Sequence, residues 1–158
     1  MTSTSSPPRT CSVARTLKIV GEKWALLAVR EAFLGNRRFD EMVRRTGAPR
    51  DTMAARLKTL VAAEILEKRL VTEHPPRYEY RLTKAGIDLY PVIVALMEWG
   101  DRYLLHGEEP PMVLTHHCGH VLGSVTICSS CGEGLNARDV RATPRGADPV
   151  ARGSTSVR

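Results

Sequence analysis

Between Phe39 and Leu82 the apolar residues switch from a helical to a strand period, and this switch restricts the fold more than any other feature of the chain. Residues 39–45 set Phe39, Met42 and Val43 on one side of a short helix. Gly47-Ala48-Pro49 is a turn. Residues 50–63 carry Met53, Leu57, Leu60 and Val61 as an inward stripe of 3.6-residue period. From Ile65 the period falls to two. Residues 65–71 form a strand with Leu66 and Leu70 on one face, and residues 78–82 a return strand with Tyr78, Tyr80 and Leu82 on one face. Pro75-Pro76 lack backbone donors, so residues 72–77 suit the tip of an edge hairpin. Two short helices about a turn make a helix-turn-helix, and a hairpin directly after the second makes a wing. The expected class is mainly α with a small β-hairpin wing (α+β).

The flanks are helical. Ser12 is expected to cap a helix reaching Val20, with Val13, Leu17 and Val20 at helical spacing, broken by Gly21. Residues 23–34 read as a mostly apolar, buried helix ended by Gly35-Asn36. Thr83 is expected to cap a long helix over 84–105, kinked near its second turn by Pro91. Its stripe of Leu89, Val92, Ile93, Leu96, Trp99, Tyr103 and Leu104 is wider than the last helix of a small domain needs. Val13, Leu17, Leu96, Trp99 and Tyr103 are therefore expected to line a homodimer interface. These elements make a domain over 11–105, followed by a linker over 106–111 and a Cys/His segment over 112–140. Residues 1–10 and 141–158 are Ser/Thr/Pro- and Arg/Pro/Gly-rich and are expected to be disordered.

The chain has 158 residues, enough for one domain with a real core plus an appendage. No apolar run approaches the ~18 residues that span a bilayer, and the first residues contain no h-region or cleavage site, so a cytoplasmic protein without a membrane partner is expected. The net charge is +6, unevenly placed. Arg37, Arg38, Arg44, Arg45, Arg50, Arg56 and Lys58 crowd one stretch against only Asp40, Glu41 and Asp51. On the helix over 50–63, Thr52, Ala55, Arg56 and Thr59 stack at spacings of three and four, where one DNA groove meets them together. Arginine suits guanine edges, and threonine a thymine methyl or a phosphate. Arg50 shares that outer face; Arg37 and Arg38, expected to open the helix over 39–45, and Lys58 are candidate phosphate contacts, and at the wing Arg77 and His74 are the candidates, Arg77 suiting a narrow minor groove.

Several stretches, in order, resemble the HxlR-type winged helix-turn-helix regulators. They are Cys11-Ser-Val-Ala-Arg, Ile19-Val-Gly-Glu-Lys-Trp24, Leu34-Gly-Asn-Arg-Arg-Phe39-Asp-Glu, Arg56-Leu-Lys-Thr-Leu60, Pro75-Pro-Arg-Tyr-Glu-Tyr-Arg-Leu-Thr83-Lys-Ala-Gly86, and Pro91 through Trp99-Gly100. The resemblance covers about residues 11–105. It implies a homodimeric transcription factor with no enzymatic reaction. The first and last helices would form the dimer, the helix over 50–63 would enter the major groove, and the hairpin would reach the flanking minor groove. The partner would be double-stranded DNA with a two-fold symmetric operator, its half-sites about 34 Å apart.

The four cysteines carry what remains. Cys11 lies at a helix start, where the helix dipole favours thiolate, and some members of the resembled family sense oxidants or electrophiles at a matching place. It is a redox candidate, and also suits a small half-buried interface residue. Redox- or ligand-responsive regulation is therefore one expectation, with the cleft between the long helices as a place for a ligand. In the tail, His116-His117-Cys118-Gly119-His120 precedes Cys128-Ser-Ser-Cys131-Gly132. Cys118, Cys128 and Cys131 with one of His116, His117 or His120 would make a closed Cys3His site for one structural zinc per chain, a zinc-ribbon-like appendage. Met112–Thr115 and Val125–Ile127 are expected to pair as its hairpin. A Cys128–Cys131 redox pair, as in a thiol-disulfide protein, and free thiols in a loose tail are the alternatives. A protein-interaction adaptor with an incidental basic face is the other rival.

Overall fold

The computed structural model describes residues 11–142. The terminal segments expected to be disordered lie outside the described residues, apart from Arg141 and Ala142. The elements are helices α1 (Ser12–Val20), α2 (Lys23–Phe33), α3 (Phe39–Thr46) and α4 (Arg50–Ala62), strands β1 (Leu66–Thr72) and β2 (Arg77–Leu82), and helices α5 (Lys84–Ile87) and α6 (Tyr90–Tyr103). A single 3-10 turn, Ala137–Asp139, follows. The chain divides into two compact units between Glu108 and Glu109.

The core of the first unit is where the apolar periods meet. Met42 of α3, Met53, Leu57 and Leu60 of α4, Ala25, Ala28 and Val29 of α2, and Leu66 at the root of β1 are buried together. Phe39, Val43, Val61, Tyr80, Leu82, Leu89 and Ile93 pack around them. Small residues on the inner face of α2 let α4 approach closely. Gly47 ends α3 with a left-handed φ of 71°, a conformation that costs a Cβ-bearing residue energy, and its N–H closes onto the Val43 carbonyl. That turn sets α4 across α2.

One charged residue enters this core. Glu31 is 2% exposed, and its carboxylate accepts from Arg30 and, at 2.7 Å, from Asn36 Nδ2. The pairing holds the turn after α2, where Gly35 takes a φ of 85°.

β1 and β2 form a two-stranded antiparallel hairpin that pairs Leu66 with Leu82, Lys68 with Tyr80 and Leu70 with Tyr78 on one face. Glu67 opposite Arg81 and Arg69 opposite Glu79 fill the other face with alternating charge. Between Leu70 and Thr72 the register shifts. A Tyr80 N–H donates to the Arg37 carbonyl at 2.8 Å, fastening the return strand to the turn before α3. Thr83 secures the other end. Its Oγ accepts from Gly86 N–H at 3.1 Å and donates to the Glu64 carbonyl, while its own N–H reaches Ile65 O.

Three local expectations are corrected. Cys11, not Ser12, is the N-cap of α1, because the first helical hydrogen bond runs from Arg15 N–H to the Cys11 carbonyl, and no side chain caps that end. The single long helix over 84–105 is two. Gly86 is buried against Ile65 and Leu82, so α5 closes after one turn and the chain restarts at Tyr90. Pro91 therefore sits in the first turn of α6, where its missing N–H costs nothing, rather than kinking a continuous helix. The stripe itself splits. Val94 is buried and Leu89 and Ile93 meet the core, whereas Val13, Leu17, Leu96, Trp99 and Tyr103 are 51–64% exposed. α6 meets α2 through the Phe33 and Tyr90 rings, 4.8 Å apart. No helix among the described residues is long and apolar enough to cross a membrane.

Candidate nucleic-acid interface

The buried stripe of α4 turns its remaining residues outward. Arg50, Asp51, Ala54, Ala55 and Lys58 are exposed, and Thr52, Arg56 and Thr59 are half-buried. The groove-reading set is thus less open than its spacing predicts. Arg56 lies beside the core edge, and its Nε is buried with no hydrogen-bond partner. The Thr59 hydroxyl donates to the Ala55 carbonyl at 3.1 Å, so it offers lone pairs, not a proton, to an incoming group. Arg50 is held from two sides, by Asp40 Oδ1 at 2.7 Å and by the Phe39 ring 4.9 Å from its guanidinium.

Arg37 and Arg38 are exposed just before α3, with Arg38 as its N-cap rather than within it. Arg77 opens β2, and His74 lies in the exposed tip between the strands. The structure brings Arg38 and Arg77 together across a groove of about 530 Å³ between the start of α3 and the hairpin. Lys68, Tyr78 and Tyr80 line it too, with Phe39, Asp40 and Pro76. Those three went unnoticed as candidates in the sequence. Lys68 gave a signal, since it stands between Leu66 and Leu70 on the hairpin face that alternation reserves for apolar side chains. Its Nζ sits 4.2 Å from the Tyr78 ring centroid, held by the negative face of that ring. Burial pushes the Tyr80 phenol above its ordinary pKa, so it faces the groove as a neutral donor.

Cys11 is exposed at the start of α1 and, like the other three cysteines, is a free thiol. The tail cysteines belong to the second unit. His116 Nδ1 lies 3.1 Å and His120 Nδ1 3.6 Å from Cys118 Sγ. Backbone N–H groups of Cys131 and Ser130 point at the Cys128 sulfur and hold its pKa below the ordinary thiol value. Among the described residues, no three His, Cys, Asp or Glu side chains converge as a metal-binding group. The expected hairpin of 112–115 with 125–127 does not form. Each arm folds onto its own turn instead, Thr115 bridging Val121 and Ile127 bridging Gly134.

An uncharacterised HTH-type transcriptional regulator of Mycobacterium tuberculosis is 48% identical over 134 residues, 84% of this chain and 85% of that protein. That span exceeds the first unit, so the similarity runs into the second. The crystal structure of PA1607, assigned as a transcription factor, superposes with a TM-score of 0.77 at 33% identity, covering 85% of this chain and 94% of that one. The redox regulator HypR in its oxidised form gives a TM-score of 0.52 at 29% identity, over 58% of this chain and 96% of that one. The model of the HxlR-like helix-turn-helix family matches residues 19–108, more than half the sequence, and the chain belongs to that family.

Proposed function

We propose that this protein is a DNA-binding transcriptional regulator, not an enzyme, acting as a homodimer on a two-fold symmetric site. The observation that carries this reading is the cationic groove of Arg38, Lys68 and Arg77 between the start of α3 and the hairpin, with Arg50 at the start of α4 held against its Phe39 and Asp40. In it, α4 presents Ala55, Arg56 and Thr59 to base edges, while Arg37, Arg38, Arg50 and Lys58 contact phosphates. The tip with His74 and Arg77 reaches the minor groove. Binding would also exchange one contact of the free protein. Arg50 would exchange Asp40 for phosphate. The uncovered face of α1 and α6 supports the dimer, with Val13, Leu17, Leu96, Trp99 and Tyr103 as its seam. Cys11 begins α1 beside that seam, so its oxidation would act on protomer spacing, and the likeness to HypR favours this as the signal.

Electrophoretic mobility shift of the chain on DNA from upstream of its own gene tests the reading. Wild-type protein retards that DNA, with affinity falling steeply as salt rises. If a variant with both Arg56→Ala and Arg77→Ala binds as tightly as wild type, the proposed face is wrong.

A further inference from the structure

Among its described residues, the second unit buries no apolar side chain. From Met112 to Val140 every aliphatic residue among the described ones is at least partly exposed, Val121 and Val125 at 70% and 87%. Its described part, residues 109–142, is short, and a segment below about 40 residues without a core needs a disulfide, a metal or a partner to hold one conformation. All its cysteines are free.

What the unit does have is one backbone device used twice. In the first turn, His116 N–H donates to the His120 carbonyl and the Gly119 N–H returns to the His116 carbonyl, both at 2.9 Å. In the second, Cys128 N–H donates to the Glu133 carbonyl and the Gly132 N–H returns to the Cys128 carbonyl, both at 2.8 Å. Gly119 and Gly132 each follow a cysteine and take left-handed φ values of 90° and 77°. Matched by these bonds, Cys118 corresponds to Cys131 and His116 to Cys128, the first turn being one residue shorter. His120 corresponds to Glu133, which stands outside the pair. Each turn therefore presents two metal-binding side chains from equivalent places, Cys128 with Cys131 and His116 with Cys118.

We propose that Cys118, Cys128, Cys131 and His116 hold one zinc ion, and that the ion assembles the second unit by drawing its two turns onto a shared centre. Three thiols and one imidazole leave no open position, so the ion's role is structural. On binding, the three thiols give up their protons to solvent and the imidazole binds in its neutral form. Bond lengths of ~2.3 Å to sulfur and ~2.05 Å to nitrogen at tetrahedral angles put ligand atoms about 3.6 Å apart. The His116–Cys118 separation of 3.1 Å reaches this with a half-ångström opening. His120 already stands at 3.6 Å from Cys118, which makes it the rival ligand that the test must separate.

The experiment uses the full-length chain, stripped with chelator under reducing conditions and titrated with cobalt(II), then zinc(II). We expect about one cobalt per chain, with tetrahedral d–d absorption and thiolate charge-transfer bands that one equivalent of zinc abolishes. Amide exchange in residues 109–142 slows on zinc addition. Cys118→Ser, Cys128→Ser and Cys131→Ser each weaken zinc binding by more than about 100-fold, beyond what outer residues do. His116→Ala changes the d–d bands and His120→Ala does not. Binding of less than stoichiometric metal, or bands that survive any of the cysteine changes, overturns the site. Bands sensitive to His120→Ala but not to His116→Ala overturn the ligand assignment. An unchanged helical melt of the first unit shows that each variant is folded, and no readout involves DNA, so failure here is distinct from failure of the regulator reading.

Discussion

Removing the groove cations tests the interface quantitatively. Lys68→Ala combined with Arg77→Ala takes two of the three cations from the groove and leaves Arg38. Lys68 and Arg77 are both exposed, so the fold survives. If each side chain neutralises one phosphate, a dimer loses about four contacts, and the slope of log affinity against log salt becomes shallower by ~3.6. Between about 50 and about 200 mM salt, the gap between wild type and variant then narrows by roughly 150-fold. Fluorescence anisotropy on one labelled duplex over a salt series reads this directly. Lys84→Ala is the control, since Lys84 is ion-paired with Asp88 on α5, outside the groove. A double variant with the wild-type slope would refute the assignment, even if its affinity at one salt concentration were lower.

Three further outcomes are expected. Gly86→Ala destabilises the first unit by about 1–3 kcal/mol, because a Cβ there meets the Ile65 carbonyl and Leu82 Cδ2; a wild-type thermal midpoint would contradict the packing of α5. Asp40→Asn releases Arg50 and tightens DNA binding at low salt, by up to about 1 kcal/mol for so exposed a pair, as anisotropy measures; weaker binding would show that the ion pair orders the face instead. Leu96→Asp with Trp99→Asp places charge on the uncovered side of α6 and is expected to yield monomers by sedimentation velocity, with the helical signal retained; a wild-type sedimentation coefficient would move the dimer seam elsewhere.

The helix-turn-helix and the hairpin are legible in the sequence because each buries one face against a common core. Met53, Leu57 and Leu60 repeat at the helical period, Leu66 and Leu82 at the strand period, and the structure buries or half-buries all five. Thr83 is legible for a different reason, since its hydroxyl accepts from the Gly86 amide in the first turn of α5, as a capping threonine does. The break between α5 and α6 is not written in any period. It arises where Gly86 meets the Ile65 carbonyl, a contact between residues far apart in the chain. The same limit applies to the candidate site. Charge density marks Arg38 and Arg77, but only the register of β1 with β2 shows that Lys68 shares their groove. The half-burial of Arg56 follows from its helical angle beside Leu57 and Leu60, which a list of spacings on the outer face passes over.

The bond from Tyr80 to the Arg37 carbonyl has a consequence for selectivity. It runs from the strand after the hairpin tip to the turn before α3, so under the proposed reading the hairpin and the helix-turn-helix would act as one gauge. A gauge held in this way would flex little to suit a poor site. A DNA sequence whose minor groove stood at the wrong distance from its major groove would have to deform to be gripped, and the cost would fall on the DNA. Base pairs lying between these two parts, touched by no side chain, would then influence affinity through their stiffness. A signal that loosens the grip would have little to work on within a protomer, and would act on the distance between two gauges rather than on either one.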